Sequence, residues 1–289
     1  MTTKMICFFA ALFVGGVCTS SALAQCTDHH LTLSTLNGKY NFGGRGDRFE
    51  ASGTLDERLV ETGFIVFDGN GRVTHATVFE NLNGSGQTLT ETGTYSLNND
   101  CSFAVSLMGS EARNFNVEVS SLDSATHISQ ESDATDVGLG PGEGAANGMV
   151  WKLIRGKDPI NGCRESDLAG LYGGELAGIN SSSQKVFGVE RIALDKNGNI
   201  SGSGFITING SLVSVPFGGN IVLNSDCTFS GTLSFGTTTK PVEGIAGFRP
   251  PPVRDDFLEE SISRPKIALI QLIDIGPDAG LLSMHSIKN

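Results

Sequence analysis

The sequence predicts an all-β fold: two tandem antiparallel β-barrels of about seven or eight strands each, with a pair of β-sandwiches as the alternative. Three observations predict it. Blocks of residues recur in the same order in the two halves, apolar and polar residues alternate with a period of two, and the 38 glycines cluster with Asn, Asp, Ser and Thr at turns. A period of two is that of a half-buried strand, and abundant turn residues suit many short strands better than helices.

The first residues belong to no fold. Met1 to Lys4 is a short basic start, Met5 to Val17 is apolar, and a small-residue stretch ends in Ala22-Leu23-Ala24. These are the three parts of a secretory signal peptide. The apolar run falls short of the roughly 20 residues that span a bilayer. The expectation is a Sec-type signal peptide over residues 1–24, cleaved after Ala24, and a secreted or periplasmic chain. An uncleaved anchor and a lipoprotein at Cys26 are the alternatives. Against the second stands Gln25, bulky where a small residue should precede a lipidated Cys. Nothing later is apolar for long enough to form a membrane helix, so no membrane insertion is expected after signal cleavage.

The repeat comes next, because self-similarity decides the domain count. Leu36-Asn-Gly38-Lys-Tyr40 matches Leu168-Ala-Gly170-Leu-Tyr172. Phe67-Asp68-Gly-Asn70-Gly71 matches Leu194-Asp195-Lys-Asn197-Gly198. Leu97-Asn98-Asn-Asp100-Cys101-Ser-Phe103 matches Leu223-Asn224-Ser-Asp226-Cys227-Thr-Phe229. The offsets are 132, 127 and 126 residues, so only small insertions separate the copies. Arg155 to Gly162, with Pro159 and two glycines, reads as a linker. The expected division is repeat 1 over 26–155, a linker over 156–162 and repeat 2 over 163–289.

Within each copy the strands follow the alternation. Cys101, Phe103, Val105 and Leu107 share one face, and Cys227, Phe229, Gly231, Leu233 and Phe235 repeat it. Phe115, Val117 and Val119 alternate with Asn116 and Glu118. Asp68-Gly-Asn-Gly71 between Glu61–Phe67 and Val73–Glu80 is a hairpin signal, because Asn and Gly tolerate positive φ. Asp195-Lys-Asn-Gly198 does the same in copy two, and Asn83-Gly84 and Asn209-Gly210 mark further turns. A meander of this size must hide its edges, and a closed barrel does so. Asp136–Gly144 reads as a Gly-rich loop, and Phe248–Asp256 opens a longer insertion.

Once Cys7 and Cys18 leave with the signal, four cysteines remain: Cys26, Cys101, Cys163 and Cys227. An even number in an exported chain implies disulfides. Each copy owns one leading Cys and one in the N-x-D-C block, which favours pairing within a copy, Cys26 with Cys101 and Cys163 with Cys227. The alternative joins Cys101 to Cys227 across copies.

The order G-x-Y, then D-x-N-G, then Gly93-Thr-Tyr95-Ser-Leu-Asn98-Asn-Asp-Cys101 resembles a repeat of uncharacterised exported bacterial tandem β-repeat proteins. Their pattern is similar to small lipocalin-like or allene-oxide-cyclase/dirigent-like barrels. The resemblance implies a small barrel and export, and it carries no catalytic assignment. Copy two departs from it where Val215–Val222 replaces the G-T-Y strand.

Function is less legible. The formal charge is −11, or −12 once Lys4 is lost with the signal, which argues against nucleic acid or an anionic membrane surface as partner. No cofactor motif, nucleophile elbow, zinc motif or P-loop is present. Asp195-Lys-Asn197-Gly-Asn199 starts like a calcium loop but has Ile200 and Ile206 where Gly and Glu belong, so it reads as a turn. His29-His30 reads as a solvated segment. His75, on a strand and sharing a face with Val73 and Phe79, is the weak candidate for a cavity-lining acid or base; His127 and His285 have no evident partner. Arg45-Gly-Asp47, placed in a Gly-rich loop, is read as a chance tripeptide, and Asn180-Ser-Ser182 and Asn209-Gly-Ser211 are glycosylation sequons only in a glycosylating host. The favoured reading is a secreted or periplasmic binding and interaction module without catalysis, its partner an unknown small ligand, glycan or protein. A small-cavity barrel enzyme of cyclase or isomerase type and a structural envelope protein are the alternatives.

Overall fold

The computed structural model describes residues 31–49, 55–82, 84–109, 112–122, 124, 129–138, 146–147, 150–156, 162–179, 184–208, 210–248, 267–274 and 279–286. The expected signal segment, Cys26, His29, His30, His127, Asn83, the sequon asparagines Asn180 and Asn209, and most of the predicted 136–144 loop and 248–256 insertion lie outside these residues.

The strands form two closed antiparallel rings. In the first, β1 (Gly38–Phe49), β2 (Leu55–Phe67), β3 (Arg72–Leu82), β4 (Ser85–Leu97), β5 (Phe103–Met108), β6 (Ala112–Leu122) and β7 (Ser129–Gly138) pair in succession. β8 (Ala146–Asn147) pairs with the end of β1, and β9 (Val150–Arg155) joins β7 back to β1 to close the ring. The second ring runs β10 (Gly170–Ile179), β11 (Lys185–Leu194), β12 (Asn199–Ile208), β13 (Ser211–Leu223), β14 (Thr228–Phe235), β15 (Thr238–Phe248), β16 (Ile267–Asp274) and β17 (Ala279–Ser286), which pairs with β10. Closure leaves no sheet edge, so the barrel expectation holds over the sandwich.

The alternation read from the sequence points into these rings. Tyr40, Phe42, Ile65, Phe67, Val73, Tyr95, Phe103, Val105, Phe115, Val117, Trp151 and Leu153 fill the first core. Tyr172, Ile192, Leu194, Ile200, Phe217, Ile221, Phe229, Leu233 and Val242 fill the second. The strand registers reproduce the repeat. Tyr40 faces Ile65 as Tyr172 faces Ile192, and Phe103 faces Val117 as Phe229 faces Gly244. Gly93 and Gly219 also correspond, opposite Leu107 and Leu233. At both, an added Cβ would run into a backbone carbonyl of the next strand, that of Ser106 or Thr232, so the coiling of the sheet at this point requires glycine.

One end of each barrel is built by the repeated blocks. A 3₁₀ turn, Leu33–Leu36 or Glu165–Leu168, precedes the first strand. The buried hydroxyl of Tyr40 donates to the carbonyls of Thr35 and Ser129, and that of Tyr172 to Leu168. The N-x-D-C-[ST] block folds the same way twice. Asp100 Oδ1 accepts from the N–H and hydroxyl of Ser102 at 3.0 and 2.7 Å, and Asp226 Oδ1 from those of Thr228 at the same distances. Asn98 and Asn224 donate from Nδ2 to the same two hydroxyls. Cys101 and Cys227 lie at φ of 69° and 72°, a left-handed conformation that a non-glycine residue holds only when its surroundings enforce it. In copy two that enforcement includes a disulfide, Cys163–Cys227, with a sequence separation of 64. It excludes the cross-copy pairing. Cys101 is disulfide-bonded as well, and its expected partner Cys26 lies outside the described residues.

Two expectations are corrected. Arg45-Gly-Asp47 lies within strand β1, paired with Arg58–Val60 of β2, and not in a loop. The predicted Gly-rich loop starts late, because Asp136–Gly138 still pair with β6.

The barrels pack side by side, the outer face of β2 and β3 against β15, β16 and β17. Val60, Phe79 and Ile273 form a buried cluster there. Thr88 donates to Glu243 Oε2 at 3.0 Å and Lys39 Nζ to the carbonyl of Asp226 at 3.1 Å.

Because each Asp satisfies two donors of its turn, Asp100→Ala and Asp226→Ala are each expected to cost about 1–2 kcal/mol. Urea unfolding of the two variants should give matching losses, since the two turns are bonded alike.

Candidate functional site

Barrel interiors of this size are ordinarily filled by apolar side chains. The first barrel departs from that at one layer. Glu61 on β2, Glu80 on β3, Glu91 on β4 and Arg113 on β6 all face inward and are at most 6% exposed. The register explains the convergence. Glu61 faces Glu80 across the β2–β3 ladder, Glu91 stands opposite Ala76 and Arg113 opposite Leu107, so four strands deliver one charged side chain each. The layer lies toward the end that carries the β3–β4 and β5–β6 hairpins, away from the end built by the repeated turns.

The guanidinium of Arg113 is the hub. It pairs through Nη1 with Glu61 and through Nη2 with Glu80, and its Nε lies 3.4 Å from Glu91 Oε1. Gln87 donates to the remaining oxygen of Glu80 at 2.6 Å. Glu61 Oε2 is buried with no hydrogen-bond partner. Gly44 lies opposite both Glu61 and Trp151 in the register. The Trp151 ring packs on Phe42 and Phe115, with centroids 5.6 and 4.7 Å apart, while its Nε1–H is buried and unpartnered. One unused acceptor and one unused donor thus stand on either side of a residue that has no side chain.

Three carboxyls share one cation, so the layer cannot hold them all ionised cheaply. Burial, with a smaller contribution from Glu80, pushes Glu61 up to about 8 against the pull of Arg113. Burial also raises Glu80, but its contacts with Glu61 and with the Arg113 guanidinium outweigh that, and its carboxyl is held below the ordinary range. The pair therefore splits into a proton-bearing acid and a carboxylate near neutral pH.

The sequence candidates lie elsewhere. A register shift between Val73 and Ala76 turns both of these inward. His75 faces outward, its ring 5.4 Å from Phe64 and its Nε2 3.1 Å from Thr77 Oγ1. It does not line the interior, and the expected shared face with Val73 is undone by the bulge. Asp195 spends its carboxylate on the N–H groups of Asn197 and Asn199 and on the Asn199 amide, which is a turn. His285 sits on β17 opposite Gly173 and Leu269. The charged layer itself was missed, although a signal existed. Arg113 shares its parity with Phe115 and Val117, so that charge stood on a face whose alternation had been read; Glu61, beside the unbroken apolar run Phe64–Phe67, carried no such mark.

A cleft of about 430 Å³ opens between the barrels, lined among others by Arg45, Val150 and Trp151 of the first and Leu176, Phe187 and Val189 of the second. The Arg45 guanidinium lies 5.9 Å from the Phe187 ring centroid.

No family model matches the chain, and no curated protein matches it. Several solved structures match over most of its length at low identity. One is HpuA from Kingella denitrificans, in complex with human haemoglobin, at 12% identity and a TM-score of 0.33, covering 85% of this chain and 87% of that one. Kievitone hydratase from Nectria haematococca matches at 8% and 0.27, over 88% and 91%. A protein of unknown function from the DUF3598 family of Nostoc punctiforme matches at 11% and 0.22, over 88% and 97%. At these scores none of them assigns a partner or a reaction to this chain.

The raised Glu61 gives a pH dependence with a definite sign. The folded chain binds a proton there that the unfolded chain releases, so this contribution is fully present below about 4.5 and is lost as pH rises to about 8. Glu80 acts oppositely, its contribution present above its ordinary value and lost in acid. Glu61→Gln should therefore flatten the fall in stability between pH 5 and 8, by on the order of a few kcal/mol, in urea unfolding at fixed pH. Arg113→Leu, which strands the carboxyls, should cost about 3–5 kcal/mol at neutral pH.

Proposed function

We propose that the chain is a secreted or periplasmic binding module, divided into repeats over 26–155 and 163–289, whose first barrel holds a small polar ligand on the layer of Glu61, Glu80, Glu91 and Arg113. One observation carries this reading. At the positions that correspond in the second barrel to Glu61, Glu80 and Glu91 stand Gly188, Ile206 and Phe217. The same fold therefore closes without the acids. Burying them is costly compared with apolar residues of similar volume, and they are retained with a free Glu61 oxygen and a free Trp151 N–H. The layer offers more acceptors than donors, which favours a ligand rich in hydrogen-bond donors, such as a small polyol or glycan unit. Export is supported by the disulfide at Cys163–Cys227, and the small-barrel resemblance by the closed eight-stranded rings.

A second reading, a barrel enzyme, is favoured by the splitting of Glu61 and Glu80 into an acid and a base, the arrangement proton-transferring sites use.

The test is native mass spectrometry of the purified mature protein for a carried-through mass, followed by thermal shift with a panel of polyols and monosaccharides. A true ligand at a hundredfold excess over its Kd adds about 2.7 kcal/mol of stability. The expected outcome is a shift in the wild type that Glu61→Gln and Glu91→Gln each diminish. If no mass is carried and no member of the panel shifts the wild type, the structural reading of the first barrel stands instead.

A further inference from the structure

We infer that the second barrel contains a separate ligand site: an apolar chamber whose recognition group is Glu190 and whose ligand is a small apolar amine, bound as its ammonium ion. This goes beyond the reading given for the first barrel and does not rest on it.

Glu190 faces the interior on β11, in line with Ile192 and Leu194, and is 5% exposed. Both of its carboxyl oxygens are buried with no hydrogen-bond partner. Across the two ladders it faces glycines, Gly174 on β10 and Gly204 on β12, so the two residues directly opposite it carry no side chain.

The strand registers show that the side chains filling the first barrel are missing around it. Phe42, Val78, Val105 and Val117 correspond to Gly174, Gly204, Gly231 and Gly244. Tyr95 and Phe115 correspond to the smaller Ile221 and Val242. Neighbouring groups close in on two of these glycines, the Val189 carbonyl and the Phe217 ring at Gly204 and the Asn220 carbonyl at Gly231, so part of the vacated volume is taken up and the Phe217 ring walls the chamber on that side. Leu176, Val186, Ile208, Val215 and Phe235 are only partly buried and pack against the core. They form an apolar mouth toward the hairpin end.

The chemistry of the ligand follows from the carboxyl. A buried carboxylate without a partner demands a charge-assisted donor, and an apolar wall demands an apolar body. Burial, with a smaller push from the like charge of Glu175, raises the Glu190 carboxyl to about 7. The other titratable groups at interior-facing register positions of the second barrel's described strands are Tyr172, which donates to Leu168, Lys240, opposite Leu233, and Asp274, opposite Val242. An ammonium ion supplies the missing charge, and the chain's net charge of −11 favours its approach.

The experiment is calorimetric titration of the mature protein at about pH 8 with n-hexylamine, n-hexanol and hexanoate, on the wild type, Glu190→Gln and Glu61→Gln. The isosteric Glu190→Gln removes a buried charge and is expected to fold, which thermal unfolding verifies. Hexylamine is expected to bind the wild type and Glu61→Gln alike, at least about tenfold more tightly than hexanol, with hexanoate not binding and Glu190→Gln losing at least that factor. Absence of hexylamine binding, equal binding by Glu190→Gln, or hexanol binding as tightly would each overturn the inference. A loss confined to Glu61→Gln would also overturn it and would move the amine to the first barrel.

Discussion

Closure of an eight-stranded ring is the constraint on which the molecule depends. A closed ring satisfies every strand's backbone within itself and fixes the size of its interior. Each strand then has one face whose residues must share a limited volume. In the first barrel the six-residue strand β9 completes the ring by pairing with both β7 and β1. Its inward residues Trp151 and Leu153 fill the seam, with Gly44 making room for the indole. A side chain at Gly44 would strike that ring, and the seam is where a larger residue would open the barrel.

The closed end of each barrel is specified locally. Asn, Asp and Ser or Thr in the N-x-D-C-[ST] block bond to one another within five residues, so the turn forms from adjacent chain. The cysteine sits at the positive-φ position of the turn and ties it, in copy two, to the segment leading into the first strand. In the chain-entropy account a loop of this length is worth on the order of 4 kcal/mol. The block recurs so faithfully because every one of its polar residues is engaged in the same bonds.

That locality explains what the sequence made legible. Turns, strand parity and the repeat are short-range patterns, and the alternation at Cys101–Leu107 and Cys227–Phe235 led directly to the two cores. The Cys163–Cys227 bond was reachable because the repeat gave each cysteine a counterpart. The charged layer was not legible in the same way. Glu61 and Arg113 are separated by 52 residues, and their meeting depends on four registers at once. Parity could mark Arg113 as an inward-facing charge, but only the closed ring shows that it meets Glu61. His75 failed for the opposite reason: a single bulge beside it reversed the face that simple alternation assigned.

The divergence of the two copies separates what the fold needs from what it merely tolerates. Both keep the tyrosine over its 3₁₀ turn, the Asp-centred turns and the glycine at position 93 or 219, all of which shape the backbone. Inside, they differ in kind. One copy carries an Arg113-centred acid layer beneath aromatic packing, and the other carries glycines around the buried carboxyl of Glu190. If interior polarity served stability, the cheaper apolar solution available to this same ring would be expected in both. Each barrel instead bears a buried acid lifted toward neutrality by burial, at Glu61 and at Glu190. These groups sit at different layers, in line with Gly188 and Gly63 of the opposite copy, so they are not one inherited feature. Two independent departures from an apolar interior, each leaving polar atoms unpartnered, point to interiors adapted to two different contents within one conserved shell.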